Sequence, residues 1–383
     1  MKQIVLFLCL PLMVAGILAG CGRAPSSGTP TSPVFHTDTD PRMLSDWGLF
    51  DLSKGGFALQ TDVVPYDLNT PLFTDYAHKL RTIWIEGEQA GEYISADAPE
   101  FPVGTVISKT FYYPRTSNLD ALLKLDQESG RVSDQLQNLD QVKLVETRLL
   151  VRRASGWHAV SYIWNSDQTE ATLSKIGAVE TLKLSDETGQ SETFSYVVPN
   201  TNQCAGCHAP NNTTRKLAPL GVRPRHINKA FEYSEGKINQ LDYLVEKGYL
   251  RAVPASELRP QNANWLDAGA PLVDRARAYL DVNCSHCHNP VGPADTSGLD
   301  LTIEAREGEA LGFCKLPIAA GSGTGDRLYG IVPGEPGASI LVHRMETTDP
   351  AGMMPELGRS LSHQEGVELV KAWIMQLDGT CAN

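Results

Sequence analysis

Asn283-Cys284-Ser285-His286-Cys287-His288-Asn289 is the stretch on which the reading of this chain turns. Cys284 and Cys287 stand three positions apart with His288 directly after them, the CxxCH pattern to which a c-type haem is covalently attached. The two thiols can each form a thioether to the macrocycle, and the adjacent histidine then reaches the iron as its proximal ligand. The same pattern occurs upstream as Cys204-Ala205-Gly206-Cys207-His208. Zinc ribbons pair their CxxC units about 15 to 20 residues apart, whereas these two begin 80 positions apart. A disulfide within each pair would give no reason for the following histidine. The expectation is two covalently attached haem c groups, held by Cys204, Cys207, Cys284 and Cys287, with iron bound by His208 and His288.

Working outward, Leu272, Ala276, Leu280 and Asn283 recur at helical spacing, so Pro271 to Asn283 is predicted to be a helix that delivers the second motif at its end. Beyond the motif, Ser362-His363-Gln364-Glu365 reads as a capping box. The helix it opens carries Val367, Val370, Ile374 and Leu377 on one stripe and stops near Gly379. Two such helices crossing beside a loop-rich haem site resemble a class I cytochrome c domain. That resemblance implies a methionine ligand from the loop before the last helix, where "GMMPELG" spans 352–358. The methionine directly before proline is Met354, with Met353 as the alternative. His/Met ligation raises a haem's potential.

The first motif has different surroundings. From about Leu44 to Pro199 the sequence is strand-like: Val106-Ile107 and Phe111-Tyr112-Tyr113 follow Pro102-Val103-Gly104, and Leu149 to Arg153 and His158 to Trp164 flank a turn at Ala154-Ser155-Gly156. Thr181 to Val198 suggests a second hairpin around Thr188-Gly189. An antiparallel sandwich or barrel follows. Lys109, in "PVGTVISKTF", resembles the haem-linked lysine of cytochrome P460-like barrels, but the reading adopted is an ordinary strand lysine. No amphipathic helix leads into Cys204, and Lys237 to Tyr249 is the good helical candidate nearby. The sixth ligand of this haem stays open between His226 in the same module, His36, His78, His158 or Met43 from elsewhere, and an open or water-bound position.

At 383 residues and 42% hydrophobic content the chain is long enough for two or three packed domains. Its formal charge of −12 argues against nucleic acid as a partner. Residues 1–21 read as a secretory leader, with Lys2, an apolar run from Ile4 to Leu18, and Leu-Ala-Gly-Cys at 18–21. That ending looks like a bacterial lipobox, implying a lipid on Cys21. Gly22 after it favours, by resemblance to lipoproteins of two-membrane bacteria, the outer membrane, facing the periplasm or the cell surface. Residues 22–44 are rich in Ser, Thr, Pro and Gly and read as a flexible tether. Of eight cysteines, Cys9 leaves with the leader, and Cys314 and Cys381 remain unassigned. In an oxidising compartment they suggest one disulfide, with two free thiols as the alternative.

Over most of residues 45–380 the chain resembles a bacterial family of dihaem c-type cytochrome lipoproteins, through "NTPLFTDYAHK", "FPVGTVISKTFYYP", "YIWNSDQTEATL", "RARAYLDVNCSHCHNP" and "VPGEPGASILVHRMETTDPAGMMPELGR". The resemblance implies haem binding and electron transfer, carried over only to Cys204, Cys207, His208, Cys284, Cys287, His288 and Met354. The expected architecture is α+β and multidomain. A β-rich domain at 45–199 precedes a haem 1 module at 200–268 and a class I cytochrome c-like haem 2 domain at 269–383, both mainly helical and loop-rich. The expected role is single-electron transfer with a redox partner protein. The alternative is a peroxidase-like enzyme in which haem 1 reacts and haem 2 supplies electrons.

Overall fold

The computed structural model describes residues 31–117, 119–126, 130–318 and 320–382. The expected leader at 1–21 and the expected lipid site, Cys21, lie outside the described residues. The fold is α+β and strand-rich, with several sheets and, among the described residues, six α-helices.

The largest sheet has six strands, ordered Ala171–Ser174, Gly156–Trp164, Val142–Arg153, Thr105–Pro114, His78–Ile85 and Val64–Tyr66. All neighbours are antiparallel. Its edge strands do not pair with each other, so the sheet is open rather than a closed barrel. The hairpin expected around Ala154-Ser155-Gly156 forms between the second and third of these strands.

The hairpin expected around Thr188-Gly189 also forms, from Ala178–Ser185 and Ser191–Val198. Its turn is set by Asp186, whose Oδ1 accepts the N–H groups of Thr188 and Gln190, and by Gly189 at φ 85°. Alternating Leu182, Leu184, Phe194, Tyr196 and Val198 point inward from this hairpin and cluster with Phe111, Tyr113 and Val145 of the large sheet.

Packing runs straight across position 200. Val222, Ile227, Phe231, Tyr233, Leu241, Tyr243, Leu244 and Tyr249 belong to the same core as the large sheet. The region after the first motif therefore has no core of its own. Its helical candidate, Lys237 to Tyr249, is shorter than expected: Gly236–Asn239 pairs as a strand with Ala230–Tyr233, and Asn239 caps a helix over Gln240–Glu246. An asparagine whose side chain accepts the Leu241 N–H starts the helix three residues into the periodic stretch.

A second core gathers Ala276, Tyr279 and Leu280 with Val367, Val370, Trp373 and Ile374. These come from α4 (Leu272–Asn283) and α6 (Gln364–Met375), with α5 (Ile340–Glu346) adding Val342 and Met345. The two long helices cross where Gly366 meets the Tyr279 ring; a Cβ on Gly366 would lie 2.4 Å from that ring, so this crossing requires glycine. The expected capping box does not form. Ser362 Oγ donates to Met345 O instead, Glu365 accepts the Tyr76 hydroxyl, and His363 occupies the position before the helix without a side-chain cap. Both box residues are drawn into tertiary contacts that outcompete the local ones. Cys314 and Cys381 are joined in a disulfide that ties the C-terminus to the loops before α5.

Candidate functional site

The first motif is itself helical. Residues Thr201–His208 form α1, opened by Asn200, whose side chain accepts the Gln203 N–H while the Gln203 side chain accepts the Asn200 N–H. This reciprocal cap needs no apolar stripe. The second motif follows directly on α4 and continues one helical turn, with the Cys284 carbonyl accepting the N–H groups of Cys287 and His288. In both, the two cysteines fall on one face and the histidine follows on the next turn.

All four motif cysteines are unpaired thiols. Burial raises each of them, pushing Cys284 and Cys287 up to about 12. Each motif histidine has its ring oriented by its Nδ1. His208 Nδ1 lies 3.0 Å from the Ala218 carbonyl, which can only accept, so Nδ1 carries the proton. His288 Nδ1 lies 3.1 Å from Ser297 Oγ, whose own proton goes to the Ala294 carbonyl. In each ring Nε2 is left unprotonated, with its lone pair free and no hydrogen-bond partner among the described residues. This is the arrangement in which a second hydrogen bond fixes the tautomer of a metal-binding imidazole. Burial holds both histidines neutral, His208 down to about 3 and His288 down to about 4.

Two cavities open beside these rings. One, of about 160 Å³, is lined by Cys204, Cys207 and His208, and the other, of about 540 Å³, by Cys284, Cys287 and His288. They share Cys207, His286, Phe73, Asn283, Pro355 and Leu357 on their walls. The motifs themselves touch, with Cys287 Sγ 3.6 Å from the Gly206 carbonyl. Each motif thus brings two free thiols and one oriented imidazole to a cavity wall, the donor set that attachment of a c-type haem requires.

Met354 lines the second cavity with His288, and Met353 does not. Its loop is held by Arg359, which donates from Nε to the Met354 carbonyl and from Nη2 to the carbonyls of Arg344 and Thr347. The first cavity is lined by His226 but by none of His36, His78, His158 and Met43. His36 is bonded to the Asp46 carbonyl and packs on Trp47, His158 to Ser155 on the hairpin, and Met43 lies on an exposed edge. His226 is engaged as well: Nδ1 is 3.4 Å from Asn262 Nδ2 and Nε2 is 3.6 Å from Asp281 Oδ2. Asp281 in turn receives Arg225 at 3.0 and 3.2 Å and Asn262 at 2.8 Å. Burial would raise the Asp281 carboxyl, but His226, Arg225 and Asn262 outweigh it and hold it below the ordinary carboxylate value.

Three features of the site escaped the sequence reading. The first is α1, whose one local signal is the Asn200/Gln203 pair. The second is Lys109, read as an ordinary strand residue, which lines the first cavity with Arg81 and Arg148. Burial, then Arg148 and Arg81, pushes its amine down to about 7. The third is the segment Asn69–Tyr76, which pins the β region to the segment after the first motif, to the end of α4 and to the loop after Met354. Asn69 donates to the carbonyls of Arg225 and Asn262, Phe73 N–H bonds Asn283 Oδ1, and the Phe73 ring stacks on His363 at 4.3 Å. Asp75 Oδ1 accepts the N–H groups of Ser360 and Leu361 in the loop after Met354. Asp75 and Tyr76 hold φ values of 47° and 61° to make these contacts, a conformation uncommon outside glycine that marks the turn as over-determined by its partners.

Comparison of the chain with protein-family models, with curated proteins and with solved structures finds no match.

Proposed function

We propose that this chain is an exported dihaem c-type cytochrome that passes single electrons between a redox partner protein and two covalently bound haems. The observation that carries this reading is the contact of two CxxCH motifs, Cys287 Sγ against Gly206 O at 3.6 Å, with one oriented imidazole in each adjoining cavity. Bound haem supplies a reversible one-electron couple, tuned by axial ligands and burial. Around it, this chain's residues orient the proximal rings through Ala218 and Ser297, and shared walls keep the two centres adjacent. Met354, which lines the same cavity as His288, would hold the iron of a haem at the second motif together with that histidine, and a thioether ligand would give that centre the higher potential. Cys21 carries the lipid that anchors the protein to the outer membrane.

A second reading, a peroxidase-like enzyme with the first motif as its reactive centre, is favoured by one contrast. No methionine lines the first cavity, and its histidines outside the proximal position, His226 and His286, are a bonded network member and a residue inside the second motif. The test uses protein made with an intact haem maturation system. Its denatured mass should retain two haems, and a mass carrying none or one removes the proposal. Both haems of a carrier are low-spin and slow to bind carbon monoxide, and Met354→Ala opens the second site alone. Fast carbon monoxide binding in the wild type, retained in Met354→Ala, moves the assignment to the enzyme.

A further inference from the structure

The register of the large sheet sets three cations side by side. Arg81 pairs with Lys109, and Lys109 pairs with Arg148 across the next strand. Like charges directly opposite one another are destabilising, and here all three line the first cavity. Arg81 is 3% exposed and bonds Asp67 through Nη1, but its Nη2 is buried without a partner among the described residues. Arg148 is matched by Glu146, which also receives the Tyr196 hydroxyl. Lys109 has neither a hydrogen bond nor an ion pair among the described residues. Its amine lies 5.3 Å from the centre of the Phe111 ring, a ring that Arg148 already covers at 4.3 Å. The Lys109 amine and the orphaned Arg81 nitrogen on one wall of the cavity leave hydrogen-bond donors that the described residues do not satisfy.

We infer that Arg81 and Lys109, backed by Arg148, form an anion-binding wall that holds a carboxylate or small oxyanion in the cavity beside Cys204–His208. Two sources present that chemistry: a carboxylate of the haem itself, or a free oxyanion that enters the cavity. Only the first depends on the proposed dihaem reading. Lys109 is the residue to vary, since Arg81 also holds Asp67 within the core. With no anion in place, removing one of three adjacent cations relieves repulsion, so if the anion is free Lys109→Gln should melt at or above the wild-type temperature before any oxyanion is added, whereas if it is the haem carboxylate the variant also loses an ion pair and melts lower.

Mass spectrometry first counts the haems in wild type, Lys109→Gln and Lys109→Arg, which tests the dihaem reading separately from the wall. Nitrite is then titrated into each protein by calorimetry and by absorption, and the two reduction potentials are measured. If the anion is free, nitrite binds saturably, Lys109→Gln weakens it about tenfold or more, the loss expected for one charge-assisted hydrogen bond, and Lys109→Arg largely restores it. If the anion is the haem carboxylate, nitrite has no effect, while Lys109→Gln lowers one of the two potentials and Lys109→Arg does not. A Lys109→Gln protein unchanged in nitrite binding and in both potentials overturns the inference, and so does one that is merely less stable.

Discussion

The two CxxCH stretches share five-residue grammar and little else. The first is a two-turn helix entered directly from a strand, walled by a sheet that presents Arg81, Lys109 and Arg148, and its histidine is oriented by a backbone carbonyl. The second hangs from a twelve-residue helix in a helical core, opens on a cavity more than three times as large, faces Met354, and orients its histidine through a serine hydroxyl. The motif fixes where a haem would attach. The walls decide what it would do, because potential and ligand access follow from axial partner, hydrogen bonding and burial. Differences between the two sites therefore belong to residues outside both motifs.

The comparison breaks most easily at Asp281, which belongs to both halves. It lies in α4, three residues before Cys284, yet its carboxylate holds Arg225 and approaches His226 of the first site. Both partners in the ion pair are buried. Removing one side of such a pair leaves an uncompensated charge and costs about 3–5 kcal/mol. Asp281→Asn should lower the denaturation midpoint accordingly and disturb the absorption of both proposed haems. A disturbance confined to the second would show that the sites are independent.

A smaller effect separates them by pH. Burial pushes His226 down to about 4, against the ordinary value of 6.5, with Asp281 pulling the other way. Between those values the unfolded chain binds a proton that the folded chain refuses. This share of stability is therefore present above about pH 6.5 and lost as pH falls toward 4. At 1.36 kcal/mol per unit it amounts to no more than about 3 kcal/mol. His226→Gln should flatten the acid side of the stability profile over that window. An unchanged slope would show that the histidine is protonated in the folded chain.

How much of this was legible depended on whether the deciding contact was local. α4 and the two hairpins follow from spacing within a dozen positions, and the structure has them where the pattern puts them. The α1 helix was missed because Thr201–His208 buries only Cys204 and so shows no apolar stripe. Ser362 and Glu365 carry a valid cap signal that tertiary partners override. Lys109 reads from the sequence as an ordinary strand lysine, since its neighbours are set by strand register, which places Arg81 and Arg148 on either side of it. The same holds for Asn69–Tyr76, whose partners lie at the far end of the chain.

The finest test of the comparison is the hydroxyl behind His288. A hydrogen bond from Nδ1–H raises the basicity of Nε2, and a more basic imidazole favours the oxidised metal. At the first site the acceptor is the Ala218 carbonyl, which substitution cannot remove, whereas at the second it is Ser297 Oγ. Ser297→Ala therefore withdraws the support from one ring and leaves the other as an internal control. The potential of the second haem should rise, by tens of millivolts at most, since a tenfold change in a one-electron equilibrium corresponds to ~59 mV. The first potential should stay where it is. Spectroelectrochemical titration of wild type and variant reads both at once. A fall at the second centre, or equal shifts at both, would mean that Ser297 acts through the fold of the loop rather than through the imidazole, and the asymmetry between the two sites would then have to come from Met354 and the cationic wall alone.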